Sequence, residues 1–420
     1  MFPFLLLLLL HLPLTLPLTP CPFLIYIYTP TELPLPPHLF SQYAAWDPRS
    51  IYSIEQRIYH SLKEWNCTTS NKDDADFFYV PIFPSSIAHM TQYTSSSSHA
   101  SLSSSYTSLS SFHTHLLHHS PHYVKNNGTD HIFTIGHDVG ACLCPRWMGE
   151  SVFLQVMGSG DDVVIGRRGN VLRKYLEISL EEGEGEEGII GRSGGGGCFP
   201  RRGVVVPPFI GERYSLSLDE HFNRKEGGKD IKYYFRGSVL QMPYSFGVRQ
   251  WLSREGLARD FIVNTETLTN DDLYWKELTS SVFCFSPPGW FEWSPRTFQA
   301  IAAGCIPVVI KSAGTRMPFE RFLDWNEFSV FIDLDDFERE ITEFIASVDR
   351  GEWNERIIAM QQKLKEVWRA FTYGSNPADK TQPRVFVVEG KSGEFIEAVA
   401  ESDVGGAVDY IIEELTLLMK

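Results

Sequence analysis

Two features predict an α/β chain built on doubly wound parallel sheets. Between residues 230 and 348 strand-like and helix-like stretches alternate at short spacing: "DIKYYFRGSV", "PYSFGVRQWLSREG", "DFIVNT", "SVFCFSPPGW", "SPRTFQAIAAG", "CIPVVI". Alternation of this kind places successive strands side by side and parallel, with the helices on the two faces. The strand-like runs are apolar almost throughout, as strands covered on both faces must be.

The 420 residues, 43% hydrophobic and 21% charged, are enough for two or three domains and a large core. A formal net charge of -15 argues against a nucleic-acid polyanion as a partner, because no basic stripe is available to release counterions. A local basic site for a small anion remains compatible with that balance.

The first 31 residues carry no Asp, Glu, Lys or Arg, and Phe4 to Leu10 form an unbroken apolar block. Residues 1–23 are therefore expected to be a signal-anchor or a cleaved signal peptide, although Pro3, Pro13, Pro17, Pro20 and Pro22 interrupt a clean helix. In a secretory compartment the sequons at Asn66 and Asn127 become usable, and the cysteines other than the leader's Cys21 could pair. Cys284 and Cys305 lie in apolar runs and read as buried thiols.

An N-terminal domain is expected over residues 24–227, with strands in "FLIYIYTPTELP", "DADFFYVPIF" and "DHIFTIGHDVG". Two low-complexity insertions interrupt it. The Ser-rich 91–122 stretch, ending in His113, His115, His118, His119 and His122, reads as a solvated loop rather than a metal site. The acidic, Gly-rich 181–197 stretch has no apolar face to bury.

A second domain is expected over residues 228–378. Ser294 is placed to cap a helix that starts at Pro295 and stops at Gly304. Asp333, Asp335 and Asp336 could imitate a metal-binding Asp-X-Asp, but their place at a helix start favours capping. The tail, 379–420, ends in an amphipathic helix with Val408, Ile411, Ile412, Leu415 and Leu418 on its apolar side.

In an open α/β sheet, ligands sit beyond the carboxyl ends of the strands. Arg236, Gly237 and the stretch from Pro287 to Arg296 occupy such positions and suit a diphosphate: Gly237 permits close approach, the helix start offers amides, and Arg296 a planar guanidinium. A surface cation and a pairing with an acidic neighbour are the ordinary alternatives for the two arginines. Trp290 and Trp293 could stack on a sugar or base, or pack in the core. His137 and Asp138 follow a strand, where one could act as a general base or the pair could simply close a turn.

"ADFFYVPIF", "DHIFTIGHDVG", "KYYFRGSV", "SVFCFSPPGWFEWSPRTFQAIAAGCIPVVI" and "MPFERFLDWNEFSVFI", in this order, resemble the exostosin-type glycosyltransferases of family 47, and the 282–332 block is the most specific. The Gly-Trp-x-x-Trp-Ser-Pro-Arg form is most similar to plant and algal members associated with xylan. The resemblance implies a GT-B fold, two Rossmann-like domains facing a cleft, with the acceptor bound by the first and a nucleotide sugar by the second. It implies inverting transfer from a UDP-sugar to a wall or matrix polysaccharide, with no obligatory metal or other cofactor. It also implies a single-pass type II Golgi membrane protein with its catalytic part in the lumen, able to join other glycosyltransferases in a complex.

Carried over by position, Arg236, Gly237, Gly289, Trp290, Ser294, Arg296 and Gln299 become donor-site residues, and His137 or Asp138 the base. Gln299 stands where the family usually has a carboxylate, and Val139 where it usually has tryptophan. Those departures keep a noncatalytic carbohydrate-binding or scaffold role as the rival expectation.

Overall fold

The computed structural model describes residues 21–45, 50–94, 98–138, 140–144, 148, 150–159, 200–211, 229–240, 244–257, 262–264, 271–373, 384–389, 395–400 and 406–419. Residues 1–20 of the expected leader, the acidic Gly-rich insertion and Val139 lie outside them.

The first half is a six-stranded sheet of β1 (Ile25–Ile27), β2 (Thr68–Thr69), β3 (Phe77–Tyr79), β4 (His131–Ile135), β5 (Val152–Gln155) and β6 (Gly203–Val205). Its order is β2-β1-β3-β4-β5-β6, and every pairing is parallel. β3, β4 and β5 are buried along their whole length, which is why they read as apolar runs. Helices α1 (Pro37–Ala44), α2 (Ile54–Glu64), α3 (Pro84–Thr94), α4 (Ser98–His119) and α5 (Pro121–Lys125) belong to this half.

The second half is a five-stranded parallel sheet of β7 (Ile231–Arg236), β8 (Ile262–Asn264), β9 (Ser281–Ser286), β10 (Ile306–Lys311) and β11 (Val330–Asp333). Helices α6 (Val248–Leu257), α7 (Asp271–Thr279), α8 (Pro295–Ala302), α9 (Phe337–Asp349) and α10 (Asn354–Val367) follow its strands. The order β8-β7-β9-β10-β11 reverses direction between β7 and β9, the position where doubly wound sheets open a crevice for ligand. The loops carrying Arg236 to Gly237 and Pro287 to Arg296 leave these two strands.

A short antiparallel ribbon, β12 (Arg384–Glu389) with β13 (Phe395–Ala400), precedes the last helix, α11 (Ala407–Leu418). As expected from its periodicity, α11 buries Val408, Ile411 and Leu415. Its Glu414 pairs with Arg321 at 3.2 Å.

The halves meet through specific bonds. The Arg316 amide donates to the Gly158 carbonyl at 2.7 Å, and a Cβ on Gly158 would collide with the Arg316 carbonyl. Tyr373 donates to the Pro207 carbonyl at 2.9 Å, and Arg202 to the Leu418 carbonyl at 2.9 Å. The chain end thus returns to the first half.

Three expectations are corrected. The Ser- and His-rich stretch is helical, not a loop: α4 buries Leu109, Phe112, His113 and Leu116 at helical spacing, and Tyr123 of α5 continues that face. Serine-rich composition hid the apolar period. His113 is held neutral by burial, its pKa pushed down to about 4, and His115 donates to the Glu32 carbonyl at 2.8 Å. Among the described residues no three metal-ligating side chains converge, there or at Asp333, Asp335 and Asp336. In that acidic turn Asp333 accepts the Asp335 amide at 2.9 Å, while Asp336, at the N-cap position of α9, makes no cap bond and pairs with Arg339.

Second, Cys284 and Cys305 are not thiols but a disulfide, S–S 2.04 Å. Parallel pairing of β9 with β10 brings Cys284 opposite Pro307 and sets Cys305 beside it, a proximity that separation along the chain conceals. Third, Cys21 belongs to the folded half: it is bonded to Cys67, and Phe23 packs on Trp65 and Phe77. Cys144 is a free, buried cysteine, its thiol pKa raised by desolvation. No helix among the described residues is long and apolar enough to cross a membrane.

Replacing both Cys284 and Cys305 by Ser is expected to cost about 3 kcal/mol, since the closed loop spans 21 residues. The check is the denaturant midpoint of the double variant against wild type without reductant; an unchanged midpoint contradicts the bond.

Candidate active site

The loop after β9 is organised by its capping residue. Ser294, 4% exposed, accepts the Arg296 amide at 3.3 Å, Pro295 opens α8, and Gly304 past its end takes φ +63°, where a glycine terminates a helix without strain. This aims Arg296 back at the end of β7. Its Nε donates to the Arg236 carbonyl at 2.5 Å, and a Cβ on Gly237 would run into its guanidinium. Gly237 is therefore required for the space that Arg296 fills.

Arg236 does not face the cleft as a free cation. Its guanidinium, 4% exposed as a residue, forms a two-pronged pair with Glu277 of α7 at 2.7 and 2.6 Å. Tyr234 donates to the same carboxylate at 2.7 Å. The Arg236 guanidinium thus pairs with a carboxylate, as a buried guanidinium requires, and α7 supplies it.

A second cation, absent from the sequence reading, lies near Arg296. Arg249 on α6 is 3% exposed and donates to the Pro288 carbonyl at 3.1 Å, the Ser238 carbonyl at 3.2 Å and the Tyr244 hydroxyl. It is delivered by a run of left-handed backbone, Ser245 (φ 55°), Phe246 (φ 59°) and Gly247 (φ 87°). Ser245 anchors that run through its amide to the Gly289 carbonyl at 3.1 Å and its hydroxyl to the Pro288 carbonyl at 2.7 Å. Such strain persists only where surrounding contacts overdetermine it, and is characteristic of ligand sites.

Burial, then the nearby Arg296, brings the Arg249 pKa down to about 10. Among the described residues neither Arg249 nor Arg296 has a carboxylate ion-pair partner. Two neighbouring guanidiniums with no carboxylate partner among the described residues are chemically suited to an anion.

Gly289 donates its amide to the Phe291 carbonyl at 3.1 Å and has room for a Cβ beside Arg249. Trp290 is 42% exposed and edge-on to Tyr244, so it sits at the rim and not in the core. Trp293 is half-buried and meets Tyr52 of the first half edge-on at 6.4 Å. Gln299 accepts from the Tyr274 hydroxyl at 2.7 Å. Glu292, also missed, is 5% exposed and holds the loop after β10 by accepting the Ser312 amide at 3.1 Å, its hydroxyl at 2.8 Å, and the Thr315 hydroxyl. The signal for it was available: a carboxylate inside "PPGWFEWSPR" has to be paired if that run is buried.

On the opposite wall, His137 and Asp138 follow β4. Tyr52 stacks on His137 at 5.9 Å and donates to Asp138 at 3.0 Å. Burial drives the two apart in titration: His137 falls to about 3, with His89 adding repulsion, while Asp138 rises to about 6 in spite of the Tyr52 bond. Gly136, just before them, is fixed by the buried Glu55 of α2, which accepts the Gly136 amide at 2.8 Å and the Ser85 amide and hydroxyl at 3.1 and 2.7 Å. Burial pushes Glu55 up to about 7.

A small cavity of about 20 Å³ marks the seam below these groups, lined from the first half by Val156, Gly158 and Val205 and from the second by Glu292, Ser294 and Lys311 among others. The aromatic pair Tyr52 and Trp293 therefore links the wall carrying Asp138 to the loop that ends in Arg296.

Residues 20–348 match the family model described as the Exostosin GT47 domain. A probable glucuronoxylan glucuronosyltransferase of Arabidopsis thaliana is 28% identical over 339 residues, 75% of this chain and 61% of that protein. A second probable glucuronoxylan glucuronosyltransferase of the same plant is 26% identical over 278 residues, 64% of this chain and 55% of that protein. A probable beta-1,4-xylosyltransferase, also from Arabidopsis thaliana, is 26% identical over 298 residues, 68% of this chain and 63% of that protein. The chain thus spans less than two thirds of the length of each of these relatives.

The raised Asp138 pKa has a stability signature. The folded state holds its proton, so the stabilisation is present below about pH 4 and is lost as pH rises through about 6. His137 and His113, depressed by burial, work in the opposite sense, so the readout is a difference. Relative to Asp138→Asn, wild type is expected to lose about 1 kcal/mol between pH 5 and 7.5. Denaturant unfolding of both proteins at the two pH values checks it; a pH-independent difference contradicts the shift.

Proposed function

The chain belongs to the exostosin GT47 family, and from that premise we propose that it is an inverting glycosyltransferase moving a sugar from a UDP-sugar to a xylan-like wall polysaccharide. The parallel two-sheet GT-B architecture supplies the cleft. The observation that carries the reading is the pair Arg249 of α6 and Arg296 of α8, two guanidiniums with no carboxylate partner among the described residues, on the loop that Trp293 joins to Tyr52, the partner of Asp138.

A leaving UDP gathers negative charge on its diphosphate as the bond to the sugar breaks. Arg249 and Arg296 stabilise that charge without rearranging, and no obligatory metal is expected. Arg236 acts one step back: paired with Glu277, it fixes the carbonyl that orients Arg296. Gln299 offers its amide for a ribose hydroxyl, and Trp290 a face for the base or sugar.

Inversion requires a base on the opposite side of the sugar to take the acceptor hydroxyl proton. Asp138 suits this better than His137, since a base is most effective when its pKa lies near the working pH, and burial has brought Asp138 to about 6 but taken His137 to about 3. His137 and Tyr52 then orient the carboxylate.

The Golgi lumen is the proposed location, reached through the uncharged N-terminal segment. Two disulfides, Cys21–Cys67 and Cys284–Cys305, fit an oxidising compartment.

With purified protein, a panel including UDP-glucuronic acid and UDP-xylose, and xylan acceptors, transfer is expected and should survive chelator. Arg296→Ala and Arg249→Ala should each lower kcat/KM by about 100-fold or more. Gly237→Ala should act in the same direction by displacing Arg296. Saturable glycan binding with no affinity for UDP would instead identify a noncatalytic binding member.

Asp138→Asn should lower kcat by about 10²- to 10⁴-fold. In wild type, activity should fall as pH drops through about 6, where Asp138 takes up its proton. A limb centred near pH 3 would transfer the base role to His137.

A further inference from the structure

Beyond the cleft, the loop between β10 and β11 shapes an open groove of about 390 Å³ that includes Lys311, Met317, Phe322, Asp324, Asn326 and Phe331. Lys311 and Met317 also line the seam cavity, so the groove adjoins the seam between the halves on the side of the second half. The seam cavity is large enough only for water; the groove falls in the range of small-ligand sites.

We propose that this groove is a remote acceptor subsite, holding pyranose units of the glycan chain that lie several residues from the one being extended. The inference rests on the glycosyltransferase reading above. A nucleotide sugar is compact and is accounted for at Arg249 and Arg296; of the two substrates only a polymer reaches from the cleft along the second half.

The groove's chemistry fits a sugar chain. Phe322 is 38% exposed, unusual for a phenylalanine, and presents a flat apolar face beside Tyr410, whose ring lies 6.2 Å away. Phe331 is half-buried with the Lys311 ammonium 5.1 Å from its ring. Pyranose rings expose C–H faces that bury well against such aromatic surface.

Between the rings stand groups that bond hydroxyls in a fixed geometry. The Asp324 carboxylate accepts the Asn326 amide and side chain, each at 3.0 Å, which pins both residues on the exposed rim. Beneath them Trp325 is buried and donates its indole N–H to the Pro318 carbonyl at 2.8 Å, giving the loop a rigid floor. Acidic and basic groups alternate, which disfavours a polyanion and suits a polyhydroxylated chain.

The test measures affinity for unbranched β-1,4-xylo-oligosaccharides from dimer to hexamer, by titration calorimetry on the intact protein, with Phe322→Ala and Phe322→Tyr. Wild type should bind the hexamer more tightly than the dimer. Phe322→Ala should weaken hexamer binding about five- to tenfold, the loss of one aromatic platform, and leave dimer binding and UDP-sugar hydrolysis unchanged. Phe322→Tyr should restore the hexamer affinity, which a merely unfolded loop would not allow.

Equal affinity for dimer and hexamer, or a hexamer affinity unmoved in Phe322→Ala, overturns the groove even in an active enzyme. Length-dependent binding lost in Phe322→Ala, in a protein that turns over no UDP-sugar, supports the groove and defeats the enzymatic reading alone.

Discussion

Two neighbouring guanidiniums with no carboxylate partner among the described residues organise the second half of this protein. Arg249 and Arg296 repel each other, and burial makes that repulsion costly, so each is held by neutral oxygen: the carbonyls of Pro288, Ser238 and Arg236, and the hydroxyls of Tyr244 and Ser294. The neighbouring features follow from this constraint. Glu277 binds Arg236 and not the other two, Gly237 gives up its side chain to make room, and Ser245 to Gly247 adopt left-handed backbone to bring α6 into place. Strain and perturbed charge of this kind cluster at functional sites.

The facing wall uses carboxylates in the opposite way. Glu55 is buried, yet accepts bonds from Gly136 and Ser85, so it ties α2 to the turns that follow β3 and β4. That frame presents Asp138 with a hydrogen bond from Tyr52 and a raised pKa. The seam between the halves, where the Gly158 carbonyl meets the Arg316 amide and the chain end bonds back through Tyr373, sets the spacing of the two walls.

Much of the site was legible because local chemistry determines it. Ser294, Pro295 and Gly304 are a helix start and stop whatever surrounds them, and Gly237 next to a strand end signals close approach. Arg249 was not legible: an arginine in an amphipathic helix is ordinary, and only the kink before α6 turns it inward. Arg236 and Arg296 looked equivalent from their positions after strands; which one receives a carboxylate depended on α7, a helix that arrives from elsewhere in the chain. The Ser- and His-rich helix was hidden for another reason, since its serine-rich composition disguises the apolar period of Leu109, Phe112 and Leu116.

By itself the sequence determined the parallel α/β class, the strands β1, β3, β4 and β7 to β11, and the helix that opens at Ser294, because buried strands and helix caps are written in residues close together along the chain. The tertiary structure alone decided what those elements meet. It joined Cys284 to Cys305 and Cys21 to Cys67, paired Arg236 with Glu277, left Arg249 beside Arg296, and placed Tyr52 against Trp293. Each is a contact between segments far apart in sequence, set by strand order and by how the two sheets face, and no local pattern encodes either.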